Sequence, residues 1–189
     1  MTKLCFKYGT MNSSKTAQLL MTAHNYRSQG KKVLLIKPTC DTRFGSNMIK
    51  SRAGPEMEAD LLITPDISNI SHLLTDVVCI LVDEAQFLSI INIDMLRGIA
   101  MSINVICYGL RTDYMCNLFP ASKRLLEIAD YIEEMTSVCV ACDQKALVNA
   151  KFTLDLNGDK HIIREGSCDI DLGAEEKYQA MCWSCWIEA

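Results

Sequence analysis

The chain has 189 residues and a mass of 21.2 kDa, with 49% hydrophobic and 22% charged residues and a formal net charge of −4. That length fits one ordinary domain or a domain with a small attachment, and the composition supports a core rather than disorder. The charge balance lacks the basic excess of a non-specific nucleic-acid binder, and no run of 18 apolar residues marks a membrane span.

The elements alternate along the chain. LCFKY (4–8) reads as a strand, and Ser14 to Gln29 as a helix stopped at Gly30. Ala17, Leu20 and Met21 form the helix's expected apolar face, interrupted by His24. VLLIK (33–37), VVCILVD (77–83) and NVICYG (104–109) are continuous apolar runs, as in strands buried on both faces. Helices are predicted over 67–74, 90–102 and 122–129. This order predicts an α/β fold with a mostly parallel sheet covered by helices on both sides. A boundary is expected near Thr136. Residues 1–136 carry 14 basic and 14 acidic side chains, whereas 137–189 carry 5 and 9, so the whole −4 lies in the second part.

Three motifs carry chemistry. The first strand runs into Gly9, Thr10, Met11, Asn12, Ser13, Ser14, Lys15 and Thr16, then a helix. This follows the phosphate-loop form G-x-x-x-x-G-K-[ST], with Ser14 in place of the second glycine. Such a loop turns backbone N–H groups onto a phosphate at a helix N-terminus. Lys15 would neutralise phosphate oxygens and Thr16 would hold Mg²⁺. The competing reading is a plain helix cap built from Ser13 or Ser14.

The second motif is CILVDEAQF (79–87), a buried strand ending in Asp83-Glu84. A carboxylate at that strand end suits a Mg²⁺-linked role for Asp83, and Glu84 suits a general base for a hydroxyl nucleophile. Alternatively, the two acids merely close a strand at the surface. With the loop, they point to a nucleotide-phosphate site.

Third, Cys139 and Cys142 form one CxxC pair, and Cys182 and Cys185 form another, 39 residues apart. Two such pairs can supply four thiolates to one structural Zn²⁺. Redox pairs or buried thiols are the competing readings. Cys5, Cys79 and Cys107 fall in apolar strands, whereas Cys40, Cys116 and Cys168 fall in loops without a role. His24, His72 and His161 sit in no ligand spacing. The N-terminus shows no long apolar stretch, so a cytoplasmic protein with reduced thiols is expected.

The combination of YGTMNSSKT (8–16), KPTCDTRFG (37–45), LVDEAQF (81–87), YGLRTDY (108–114), CVAC (139–142) and EKYQAMCWSC (176–185) resembles the thymidine kinase family of the cytosolic, zinc-containing kind. The likeness spans nearly the whole chain and is nearest to the bacterial branch. It implies a P-loop α/β domain at 1–136 and a zinc-binding domain at 137–189. The implied reaction moves the γ-phosphoryl group of ATP, with Mg²⁺, to the 5′-hydroxyl of thymidine. By position, Gly9 to Thr16 would cradle the triphosphate, Asp83 would serve Mg²⁺, Glu84 would take the hydroxyl proton, and Arg43 would lie beside the phosphates or attacked oxygen. Gln86, Phe87, Tyr114 and Phe119 would sit near the nucleoside, with Met11 and Leu110 beside the thymine methyl. Asn149 stands where the family has a residue near the base. Gly166 to Tyr178 resembles a loop that closes over the base, with Tyr178 as a hydroxyl donor. A homotetramer and inhibition by dTTP are further implications. Departures are Ser14, the Met115 to Leu118 segment without the usual Arg and Gly, and Trp183 in place of Arg. The alternatives are another P-loop phosphotransferase or ATPase, or a zinc-ribbon module that binds nucleic acid.

Overall fold

The computed structural model describes residues 2–43, 45, 47–166 and 177–189. Its centre is a six-stranded sheet in which every neighbouring pair is parallel. The strands are β1 (Leu4–Tyr8), β2 (Lys32–Pro38), β5 (Leu61–Ile63), β6 (Val77–Val82), β7 (Asn104–Gly109) and β8 (Tyr131–Glu134), in the order β5-β2-β6-β7-β1-β8. The chain between β2 and β5 holds an antiparallel pair, β3 (Met48–Lys50) and β4 (Glu56–Glu58).

Side chains along the central strands divide between two cores, as the period of two requires. Leu34, Ile36, Ile80, Val82, Val105 and Cys107 face α2 (Ile90–Ile99) and α3 (Pro120–Ile128), where Ile93, Leu96, Ala121 and Leu125 meet them. Val33, Leu35, Cys79, Leu81 and Tyr108 face α1 (Lys15–Ser28) on the other side. Both faces are therefore covered, which is why these strands are apolar without alternation. The buried residues of α1 are Leu19, Leu20 and Ala23, while Met21 is 62% exposed. The predicted face is thus turned: Leu20 and Ala23 continue a row that Leu20 and His24 could not.

The helix predicted over 67–74 is only a 3-10 turn at Ser71–Leu73. Side chains take the backbone groups a helix would need. Asn92 Nδ2 donates to the Ile67 carbonyl at 2.7 Å and Asn69 Oδ1 accepts from Ser71 N, the two groups that a helix would bond to each other. Asn92 also completes a capping box with Ser89 at the start of α2.

After β8 the chain leaves the main sheet. It forms a second, antiparallel sheet in the order β10-β9-β11, from β9 (Val148–Leu154), β10 (Lys160–Ile163) and β11 (Tyr178–Met181). A short helix, α4 (Trp183–Glu188), follows. Val148, Ala150, Met181 and Trp186 pack around Cys139 and Cys182 as a separate small core. Among the described residues, no helix is long and apolar enough to cross a membrane.

Candidate active site and metal centre

Parallel strands deliver their C-terminal ends to one edge of the sheet, where ligands gather. Here the segments after β1, β2, β6 and β7 meet. They carry Gly9 to Thr16, Asp41 and Arg43, Asp83 and Glu84, and Leu110 to Tyr114.

The loop after β1 turns through two left-handed residues, Asn12 (φ 63°) and Ser14 (φ 62°). Ser14 thus adopts the conformation that a glycine would take without steric cost. It is the residue before α1, yet its side chain caps nothing. The reading of Ser14 as a side-chain cap fails, and α1 begins directly behind this loop, with the positive end of its dipole turned toward it. Lys15 folds back on the loop, donating to Gly9 O (3.2 Å), Thr10 O (2.7 Å) and Ser13 Oγ (3.3 Å). Gly9 is packed so closely against the Met135 carbonyl and Ser13 that no Cβ would fit.

Thr16 Oγ1 lies 3.3 Å from both carboxylate oxygens of Asp83. Burial, followed by the neighbouring Glu84, raises the pKa of the Asp83 carboxyl, against the opposing pull of Arg43. A hydroxyl and a buried carboxylate held together form an oxygen donor set suited to a hard divalent cation.

Glu84 leaves β6 in a left-handed turn (φ 49°), a strained conformation for a non-glycine residue. Its two carboxylate oxygens are separately engaged. Oε1 accepts from Arg43 Nη2, and Oε2 accepts from Gln86 Nε2 at 2.5 Å. Arg43 also donates to Asp41, through Nε at 2.6 Å and Nη2 at 3.1 Å. Lys37, only 1% exposed, pairs with Asp41 at 3.4 Å and donates to Met48 O at 2.8 Å. A chain of alternating charge thus runs Lys37, Asp41, Arg43, Glu84. Burial alone would raise the Asp41 carboxyl, but the hydrogen bonds and charges of Arg43 and Lys37 outweigh it and lower its pKa. Burial likewise opposes the charge on Arg43, yet Glu84 and Asp41 push its pKa above the ordinary value.

Gln86 is held at both ends. Its Nε2 serves Glu84, while its Oε1 accepts from Leu110 N at 2.9 Å. Only 3% of the residue is exposed. The structure therefore joins Gln86 to Glu84 and to the Leu110 backbone. Leu110 is itself buried, and its carbonyl accepts from Ser122 Oγ at 2.6 Å.

The aromatic residues form two groups. Phe87 and Phe119 meet edge to face, with centroids 6.0 Å apart. Tyr114 and Tyr178 share Lys151, whose ammonium lies 5.2 and 5.9 Å from their ring centroids. Tyr114 is buried, and its hydroxyl lies where a Cβ on Gly166 would need space. Most of the loop expected between Gly166 and Tyr178, including Cys168, lies outside the described residues. Asn149 meets the loop after β1: its Oδ1 accepts from Met11 N at 2.7 Å.

Cys139, Cys142, Cys182 and Cys185 converge, with all four sulfurs within 4.8 Å of one another. Cys142 Sγ lies 3.7 Å from Cys182 Sγ and 3.6 Å from Cys185 Sγ. Four sulfurs about 2.3 Å from one ion stand about 3.8 Å apart, so the cluster has the dimensions of a tetrahedral thiolate site. Backbone N–H groups of Ala141 and Cys185 point at the Cys139 and Cys182 sulfurs, each at 3.4 Å. Trp186 packs within this core and meets Trp183, which is half exposed, with ring centroids 5.0 Å apart and the rings tilted by 48°. Of the loop and strand thiols, Cys79 and Cys107 are buried, Cys5 and Cys116 are half-buried, and Cys40 is exposed. His24, His72 and His161 are exposed.

Sequence reasoning missed Lys37 and Asp41. Lys37 reads as the polar end of an apolar run, and only burial reveals its charge partner. Asp41 stands two residues before Arg43, and that spacing was the available signal.

A family model described as thymidine kinase matches residues 2–186. A thymidine kinase of Encephalitozoon cuniculi is 42% identical over 188 residues, covering 98% of this chain and 87% of that protein. The Chromobacterium violaceum thymidine kinase is 38% identical and covers 98% of both chains. A Streptococcus pyogenes thymidine kinase is 39% identical, over 96% of this chain and 95% of its own length.

Proposed function

The chain belongs to the thymidine kinase family and phosphorylates thymidine, and we propose that the residues at the sheet edge divide the reaction as follows. The observation that carries this assignment is the meeting of three groups at one edge: the loop at Gly9–Thr16, the Thr16–Asp83 pair and the Arg43–Glu84 pair.

The loop receives the triphosphate of ATP, with the N-terminus of α1 behind it to favour the anion. Lys15 exchanges its bonds to Gly9 O, Thr10 O and Ser13 Oγ for phosphate oxygens. Thr16 and Asp83 would hold Mg²⁺, which supplies positive charge to the phosphates. Glu84 takes the proton of the 5′-hydroxyl, and Arg43 balances charge on the transferred group. Leu110, Met11, Phe87, Phe119, Tyr114 and Tyr178 line the nucleoside side, giving a flat ring an apolar and aromatic surround. The four thiolates would hold a structural Zn²⁺, since a four-sulfur site leaves no position for substrate.

The same reading divides the chain at 136. Its support is that the main sheet ends at Glu134, while β9 of the second sheet begins at Val148. A cytoplasmic homotetramer inhibited by dTTP also belongs to this reading, supported by family membership alone.

A nucleoside panel with ATP and Mg²⁺, followed by product mass, tests the activity. Thymidine should be phosphorylated and purine nucleosides should not. Glu84→Gln should keep ATP binding and lose most turnover, on the order of 100-fold or more. Full turnover by that variant would remove Glu84 as the base.

A further inference from the structure

We propose that Asn149 and Ser137, both on the zinc-bearing side of the molecule, are positioning residues for the phosphate loop, holding it in the shape that receives ATP. This rests on the loop being the triphosphate site.

Three consecutive loop residues are fixed from outside the loop. Gly9 abuts the Met135 carbonyl, Thr10 Oγ1 shares a 2.5 Å hydrogen bond with Ser137 Oγ, and Met11 N donates to Asn149 Oδ1 at 2.7 Å. Asn149 is itself 4% exposed and lies in β9, opposite Ala180 of β11. Strand β11 runs directly into Cys182, and Val148 and Ala150 pack in the core around the cysteine cluster. Ser137 is tied to the same unit: its carbonyl accepts from Ala146 N at 2.8 Å, and Leu147 N donates to Met181 O at 2.7 Å. The cysteine cluster, the second sheet and the two contacts on the loop are thus one continuous structure.

The loop needs this support. Asn12 and Ser14 both hold left-handed conformations that persist only when their surroundings over-determine them. Lys15 supplies internal support through three bonds, but those are the bonds it would exchange for phosphate oxygens. The bonds from Ser137 and Asn149 end on the Thr10 side chain and the Met11 amide, upstream of the first turn of α1. They can remain in place when ATP enters.

The test is titration of a fluorescent N-methylanthraniloyl derivative of ATP with Mg²⁺, without nucleoside, combined with steady-state KM values. Asn149→Ala and Ser137→Ala should each weaken nucleotide binding by about five- to tenfold, the worth of one hydrogen bond, with a smaller change in KM for thymidine. Ser137→Thr, which keeps the hydroxyl, should bind as wild type. Wild-type nucleotide binding by both alanine variants overturns the proposal. So does a raised thymidine KM with unaltered nucleotide binding in Asn149→Ala, which would make Asn149 a nucleoside contact. If Asn149→Ala is unfolded, the half-exposed Ser137 pair of variants decides. Lys15→Met separates the two readings: if it binds the nucleotide normally, the loop is not the ATP site. If it fails to bind while both alanine variants bind normally, only the positioning role falls.

Discussion

Gly109→Ala tests whether the general base is set from behind by Gln86. The glycine ends β7 and touches no substrate group in the proposed mechanism. A Cβ there would stand 2.7 Å from Gln86 Oε1, 3.1 Å from Gln86 N and 3.3 Å from Ala85 N. Its φ is not in the left-handed region, so alanine brings the methyl group without backbone strain. The Gln86 side chain must withdraw to make room. It then loses the bond from Leu110 N and misdirects its donor to Glu84. One neutral hydrogen bond and one to a carboxylate together are worth about 2–4 kcal/mol. Displacement of a reacting group by about 1 Å can cost about 100-fold in rate. The expected result is a folded, less stable enzyme whose kcat falls by about 10- to 100-fold while ATP binding holds. Gly98→Ala is the control. Gly98 lies within α2 with open space around it, so the variant should gain up to about 1 kcal/mol of stability at unchanged kcat. Thermal denaturation and saturating kinetics measure both. Wild-type kcat in a folded Gly109→Ala enzyme would refute the claim that Gln86 sets Glu84.

Other outcomes follow from single features. Ser14→Gly relieves about 1–2 kcal/mol of left-handed cost but gives back about 0.5–1 in chain entropy, so denaturation should show a small gain. Ser14→Val should lose stability and nucleotide binding, because a β-branched residue fits that conformation worst. Asp41→Asn leaves Lys37 and Arg43 without their shared partner and should cost about 3–5 kcal/mol at neutral pH by urea unfolding. Because the folded Asp41 pKa lies below 3.8, its contribution is complete above that value and is lost as pH falls through the lower folded pKa. The wild-type advantage should therefore narrow only in strong acid. Elemental analysis should find about one Zn per chain, and Cys182→Ser should lose it together with stability. Zinc-free protein that is folded and active would remove the structural metal.

The central strands were legible because burial on both faces writes itself as unbroken apolar runs at 33–37, 77–83 and 104–109. The loop, the Asp83-Glu84 strand end and the CxxC pairs were legible because their chemistry depends on spacing along the chain. Strands β3, β4 and β5 were not, since three residues each are too few to show a period. Strand β8 lies at the sheet edge with Tyr131 and Ile132 exposed, so its composition carries no burial signal. Gln86 and Asn149 were singled out by the family resemblance, but it did not supply their partners, backbone amides distant in sequence: Leu110 N and Met11 N. Residue types do not encode such pairings. They appear only when the fold brings the strands together.

Strand β2 has a consequence for mutation and descent. Six consecutive residues, Val33 to Pro38, are buried, and neighbours belong to opposite cores. A single inserted or deleted residue within the strand would exchange the two sets at every later position. It would also carry Lys37 to the other side of the sheet, away from Asp41 and the Met48 carbonyl. Point substitutions between apolar residues can therefore accumulate in this strand, but changes of length cannot. The turn joining β3 and β4, with Ala53 and Gly54 exposed, has no such reading frame; Arg52 reaches from it to Asn12 Oδ1 on a long side chain, and length variation among related chains should be found beside it, at Ala53 and Gly54.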